Sequence, residues 1–126
     1  MSVALNILIV EDNALVAMAY EAIAMDAGYK AVTIANDAAS AFKQAQMLNF
    51  DVALVDLRLS DGLTGNAIAV GLCKNYDVKS IIIITGDAPH LSLDARDISI
   101  AVLLKPISGE TLRYALNAAA SRTNSH

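Results

Sequence analysis

Apolar runs and amphipathic stretches alternate along the chain. The runs Leu5–Val10, Ala31–Ala35, Val52–Asp56, Ser80–Thr85 and Ile100–Leu104 have the length and composition of strands. Ile81–Ile84 is apolar on both faces, as a strand covered by helices on each side must be. Ala31–Ala35 is the least continuous of the five, which places it nearer an edge. Helical patterns fill the gaps. Asn13 caps the first, which ends at Gly28, a residue suited to the turn after a helix. Asn36 or Asp37 caps the second, which reaches about Leu48. The third runs from about Thr64 to Tyr76, and Ser108 caps the last, with Leu112, Ala115, Leu116 and Ala119 on one face. The stretch 88–97 is weaker. It holds Pro89 and short polar residues, with only Leu91, Leu93 and Ile98 to bury, so a short or mobile helix is expected there. Strands that alternate with helices in this way imply βαβ units and a parallel sheet, an α/β fold.

Length and composition narrow the function classes. The 126 residues suit one domain (1–126, with a core from about 4 to 120 and a frayed tail over 121–126). The hydrophobic share is 56%, much of it alanine, yet no apolar run approaches the ~20 residues that a membrane span needs. The N-terminus lacks the basic stretch and small-residue cleavage site of a secretory signal. The lone Cys73 lies in a helical pattern with no cysteine partner, so it reads as a small hydrophobe in a reducing cytoplasm. A net charge of −4 with no Lys/Arg cluster argues against direct binding of nucleic acid. His90 follows a proline in a loop-like stretch and His126 is the last residue; both are expected to be solvated and neither makes a metal case.

Chemistry gathers at the strand ends. Asp56 closes the third strand, Glu11-Asp12 follows the first, Thr85 ends the fourth and Lys105 follows the fifth. The carboxyl ends of parallel strands share one edge of the sheet, where ligands bind. Ordinary roles compete for each residue alone. Asp12 and Asp56 sit where helix caps sit, Thr85 can simply end a strand, and Lys105 can be a solvated lysine. Together they place an acid pair, an acid, a hydroxyl and an amine along one crevice. Three carboxylates so close would repel one another unless a cation lay among them.

Glu11-Asp12, Asp56, Thr85-Gly86 and Lys105-Pro106, in that order and at those spacings, resemble the receiver domain of bacterial response regulators, the CheY-like type. The resemblance extends from about Leu5 to about Ala120. It implies a doubly wound, flavodoxin-like five-stranded sheet of order 2-1-3-4-5 with helices on both faces. It implies Asp56 as phosphoacceptor, since a carboxylate nucleophile can form an acyl phosphate. Asp12 and Asp56 would bind Mg²⁺ directly, Glu11 through a water, and the backbone carbonyl of Arg58 would complete the protein ligands. Thr85 and Lys105 would each reach a phosphoryl oxygen. These parts suit phosphoryl transfer, which needs positioning and charge neutralisation, and they suit Mg²⁺, a hard cation held by few carboxylates. A cis peptide before Pro106 would aim Lys105 into the site.

The chain departs from the family pattern at Val102. An aromatic residue is usual there, three positions before the lysine, and it pairs with the hydroxyl of the fourth strand. Valine cannot swing as a ring does, so the 86–98 segment is the expected moving part. Gly86 leaves room beside Thr85 for a donor imidazole or an attacking water. Arg58 and Asp87, of opposite charge, flank the entrance and are placed to bridge over a phosphate. The first helix has two apolar stripes. Val16, Tyr20, Ile23 and Ala27 make one; Leu15, Met18, Ala22 and Met25 make the other, which suits docking of a partner helix.

The resulting expectation is a stand-alone, cytoplasmic receiver. It would accept a phosphoryl group from a histidine kinase or histidine phosphotransfer protein, then bind a downstream protein or pass the group on. Such a domain is a signalling switch and not an enzyme, with no direct nucleic-acid or membrane partner. A phosphatase or phosphotransferase with a strand-end aspartate usually wants a second acid two residues on, where this chain has Arg58. A receiver-like interaction module that works without phosphorylation is the alternative that Val102 keeps open.

Overall fold

A computed structural model describes residues 5–124. Five parallel strands, β1 (Asn6–Val10), β2 (Ala31–Ala35), β3 (Val52–Asp56), β4 (Ser80–Thr85) and β5 (Ser99–Leu104), form one sheet in the order β2-β1-β3-β4-β5. The helices are α1 (Ala14–Asp26), α2 (Ala38–Met47), α3 (Gly65–Tyr76), α4 (Leu93–Ile98) and α5 (Gly109–Asn124). A single 3-10 turn, Ala88–His90, precedes α4. This is the doubly wound arrangement expected from the sequence, with β2 at one edge.

The strand alternation sorts side chains into two cores. Leu8, Val10, Ala53, Val55, Ile81 and Ile83 face α2, α3 and α4, where Ala41, Ile68, Leu72 and Ala95 meet them. Ile7, Ile9, Val52, Leu54, Ile82 and Ile84 face α1 and α5, against Ala24, Leu112, Leu116 and Ala119. β3 and β4 are buried along their whole length, which explains their unbroken apolar runs. Each fully buried Ile or Leu contributes roughly 1.5–3 kcal/mol.

Caps set the helix starts. Asn13 Oδ1 accepts from the N–H groups of Leu15 and Val16, and Gly28 takes the positive φ after α1. Asp37, not Asn36, caps α2 through a capping box with Ser40. Ser108 Oγ accepts from Thr111 N–H at the start of α5.

Several expectations need correction. Leu93 is 77% exposed, and Ala95 takes the buried place on α4 instead. α5 continues through Asn124, so Ser121–Asn124 is helical where a frayed tail was expected. The remaining tail positions, His126 among them, lie outside the described residues. Among the described residues, no helix is long and apolar enough to cross a membrane.

Candidate functional site

The order of the strands reverses between β1 and β3. β1 connects outward to β2 on one side, while β3 lies on the other, and a crevice opens at their carboxyl ends. A cleft of about 580 Å³ lies there, lined by Glu11, Asp12, Asp56, Thr85 and Lys105, with Arg58 and Asp87 at its rim. The structure therefore brings together the strand-end residues picked out in the sequence.

Asp56 is only 4% exposed, because β3 is central and the start of α3 covers its end. Its Oδ2 lies 2.7 Å from Lys105 Nζ, and its Oδ1 accepts the backbone N–H of Arg58 at 3.2 Å. Burial works against the Lys105 ammonium, but the hydrogen bond and charge of Asp56, with Glu11 farther off, outweigh it and raise its pKa. Lys105 donates its own N–H to the Thr85 carbonyl at 2.9 Å, so the ends of β4 and β5 are locked side by side. The Lys105–Pro106 peptide is cis, as expected.

Thr85 is buried, and its Oγ1 accepts the Asp87 N–H at 2.8 Å, which leaves the hydroxyl proton free to be donated. Glu11 is 3% exposed. One of its oxygens, Oε2, accepts from Asn13 N–H at 3.0 Å; the other, Oε1, is buried with no hydrogen-bond partner. Burial, opposed by the Asn13 bond and assisted by nearby Asp56, pushes the Glu11 carboxyl up to about 7.

That orphaned oxygen bears on the cation question. A buried acceptor without a donor is rare and calls for an explanation such as an ion or its water. Glu11 Oε1, the solvent-exposed Asp12 beside it and Asp56 across the cleft suit a hard cation that keeps several waters. Among the described residues, no three His, Cys, Asp or Glu side chains are grouped so as to hold a metal by themselves. A cation here would lean on backbone oxygen and water as well, which is normal for Mg²⁺.

At the rim, Arg58 Nη2 and Asp87 Oδ2 are 2.6 Å apart, so the two flanking charges do bridge. His90 is not merely solvated: its Nδ1 lies 2.6 Å from Asp87 Oδ1. His90 and then Arg58 hold the Asp87 carboxyl below the usual carboxylate range. A Cβ on Gly86 would meet only the Lys105 Cβ, at 3.8 Å, so packing does not require glycine there. Val102 packs against the core on the α3/α4 side.

Sequence reasoning missed Gly65. A Cβ on this residue would lie 2.3 Å from the Asp56 carbonyl oxygen and 2.5 Å from Leu57 Cα. Gly65 N–H also donates to the Leu57 carbonyl at 3.0 Å, so the first residue of α3 presses directly on the backbone that carries the central carboxylate. The signal was a glycine at a helix start, where a side chain would ordinarily be tolerated.

Residues 7–117 match the response regulator receiver domain family. The chain belongs to that family. Solved receiver structures agree with the fold. The receiver domain of the PhyR response regulator from Erythrobacter litoralis is 25% identical, with a TM-score of 0.84, over 98% of this chain and 95% of that one. The receiver domain of a sensor histidine kinase from Pseudomonas aeruginosa is 26% identical, with a TM-score of 0.75, over 94% of this chain and 99% of that one. That structure has a magnesium ion coordinated in its active site cleft. A response regulator from Burkholderia pseudomallei, solved with a phosphorylated aspartic acid, calcium ion and citrate, is 28% identical with a TM-score of 0.77. The match covers 93% of this receiver and 69% of that chain. Among curated proteins none matches. As a receiver domain the chain belongs to two-component signalling, and its acidic cleft is the region to examine for that chemistry.

Proposed function

We propose that this receiver, acting as a single signalling unit, accepts a phosphoryl group on Asp56 from a histidine kinase or histidine phosphotransfer protein. An Asp56 oxygen attacks phosphorus, the P–N bond to the donor imidazole breaks, and its electron pair stays on that nitrogen. The product is an acyl phosphate. Lys105 holds Asp56 Oδ2 before the reaction and is within reach of the phosphoryl oxygens after it. Thr85 has a free hydroxyl proton for another of those oxygens. Mg²⁺ held by Asp12, Asp56 and the Arg58 carbonyl, with Glu11 acting through a bound water, would neutralise the charge spread over the phosphoryl group.

The observation that carries this reading is the buried Asp56 carboxylate, paired at 2.7 Å with Lys105 inside an acidic cleft. A carboxylate needed only for structure would not require an orphaned Glu11 oxygen beside it. The exposed stripe on α1 supports a helical partner. Leu15 is 78% and Met18 59% exposed beside the cleft, with Met25 farther along, while Tyr20, Ile23 and Ala27 pack on the core. Phosphorylation then changes binding to a downstream protein or passes the group on, in the cytoplasm, without nucleic acid or membrane as direct partner. Self-catalysed gain and loss of phosphate makes it a switch and not an enzyme in the usual sense.

The test is incubation with a small phosphodonor and Mg²⁺, followed by intact mass. One added phosphoryl group is expected on the wild type and none on Asp56→Asn. A wild type that never gains mass would overturn the reading. It would favour the second one, a docking module independent of phosphate, which the valine at position 102 supports.

A further inference from the structure

Beyond Thr85 the chain is tied back to the site by charge and amide contacts. Asp87 uses both carboxylate oxygens: Oδ2 on Arg58 Nη2 and Oδ1 on His90 Nδ1, each at 2.6 Å. Asn66, in the first turn of α3, donates from Nδ2 to the His90 carbonyl at 2.9 Å. The same Asn66 side chain accepts the Ser92 N–H through Oδ1, also at 2.9 Å. Ser92 Oγ accepts from Ala95 N–H at 3.0 Å and so caps α4. A continuous polar chain therefore runs from the loop after Asp56 to the first turn of α4.

Apolar packing adds Leu91, Ala95 and the half-buried Ile98, a small area for holding a helix. Six residues are too few to hold a helix by its own hydrogen bonds. Only Leu91 and Ala95 are buried in the stretch, and Leu93 faces solvent. Val102 supplies no ring to couple the cleft with α4. The position of α4 therefore leans on side-chain ties as well as on this small apolar contact, and one of those ties starts at Arg58.

We propose that Arg58 is the moving part of this switch. Its guanidinium is held by Asp87 in the resting protein and transfers to the phosphoryl group on Asp56, which releases the Asp87–His90 end of the chain and loosens α4. This rests on Asp56 being the phosphoacceptor. Arg58 is two residues beyond Asp56 and its N–H already donates to Asp56 Oδ1, so its stem is anchored beside the reacting carboxylate. Its side chain is 61% exposed and both it and Asp87 line the cleft, so the guanidinium can turn inward without unpacking. A phosphoryl group offers more charge and more acceptor oxygens than one carboxylate, and a guanidinium can meet it with two parallel bonds. Once Arg58 has left, the 87–92 loop keeps the Asn66 hydrogen bonds, the Asp87 N–H bond to Thr85 Oγ1 and the buried Leu91 side chain, but no ion pair to the loop after Asp56. Isolated exposed hydrogen bonds hold a loop weakly.

The test is amide hydrogen exchange over residues 87–98, read by mass spectrometry with and without beryllofluoride and Mg²⁺. Fluorine NMR confirms that the probe is bound. Exchange in the wild type should speed by about tenfold when the probe binds. Arg58→Ala should already exchange at that faster rate without the probe and gain nothing further from it. Asn66→Ala, which touches neither Asp56 nor its ion pair, should exchange fast in both states while still binding the probe. Unchanged protection of 87–98 in a wild type carrying bound beryllofluoride would overturn the Arg58 transfer and leave Asp56 phosphorylation standing. No bound probe, together with no mass gain from a phosphodonor, would overturn both.

Discussion

Helix α1 runs thirteen residues from an Asn13 cap and sets Ala17 and Ala24 out of solvent, with Tyr20 and Ile23 packed on the core it shares with α5. Helix α4 runs six residues, buries Ala95 and packs Ile98 half-buried on the other core, and its start hangs from Ser92 and Asn66. α1 lines the cleft through Val16, whereas α4 is linked to it only through the loop that carries Asp87. The first is fixed by apolar area, which charge in the cleft hardly alters. The second has less apolar area and leans more on hydrogen bonds and an ion pair, the kind of contact that an added anion can compete for. A firmly packed face and a more lightly tied one can thus sit side by side in a small domain.

The contrast can be attacked from both sides. Leu116→Ala removes a fully buried side chain from the α1/α5 core, and a global loss of about 2–5 kcal/mol is expected in urea unfolding. A much smaller loss would mean that this face is less tightly packed than its burial indicates. Ser92→Ala removes the α4 cap and should cost about 1 kcal/mol. Its signature is faster amide exchange confined to α4; equal acceleration in α1 would break the contrast. Tyr29→Phe probes a polar tie inside the apolar face, where the phenol donates to the Leu116 carbonyl at 2.7 Å, and about 1 kcal/mol is expected at neutral pH.

Tyr29 also carries a pH signature. Burial, then the nearby Asp51 charge, raises its pKa above the ordinary 10.0. Below that value both folded and unfolded phenols keep their proton, and the contribution to stability is complete. As pH rises past it, the unfolded phenol ionises while the folded one does not, so unfolding binds fewer protons and stability falls. Alkaline denaturation curves should therefore be shallower for Tyr29→Phe than for the wild type.

The strand ends were legible in the sequence because two strong periodicities converge there. A run such as Ile81–Ile84 permits little but a central strand, and a parallel sheet then fixes which ends meet. Val52–Asp56 was readable for the same reason. The weakness of α4 was visible through Pro89 and the small polar residues around it, although which residue it buries was not. Of the three apolar residues expected to bury there, Leu91 does and Ile98 packs half-buried on the core, but Leu93 faces solvent while Ala95 turns inward. The Asp87 contact of His90, a residue expected to be solvated, and the part played by Asn66 were not visible, because their partners are set by the path of a loop. Asn66 and Ser92 are 26 residues apart and no local pattern links them. Charge alone suggested the Arg58–Asp87 pair, since both residues follow strand ends that the sheet makes neighbours.

Gly65 offers no group for chemistry, yet the absence of its side chain allows α3 to butt against the backbone of Asp56. The helix acts there as a mechanical stop. It limits how far the end of the strand can retreat beside the lysine, so part of the placement of the Asp56 carboxylate is decided by an empty space.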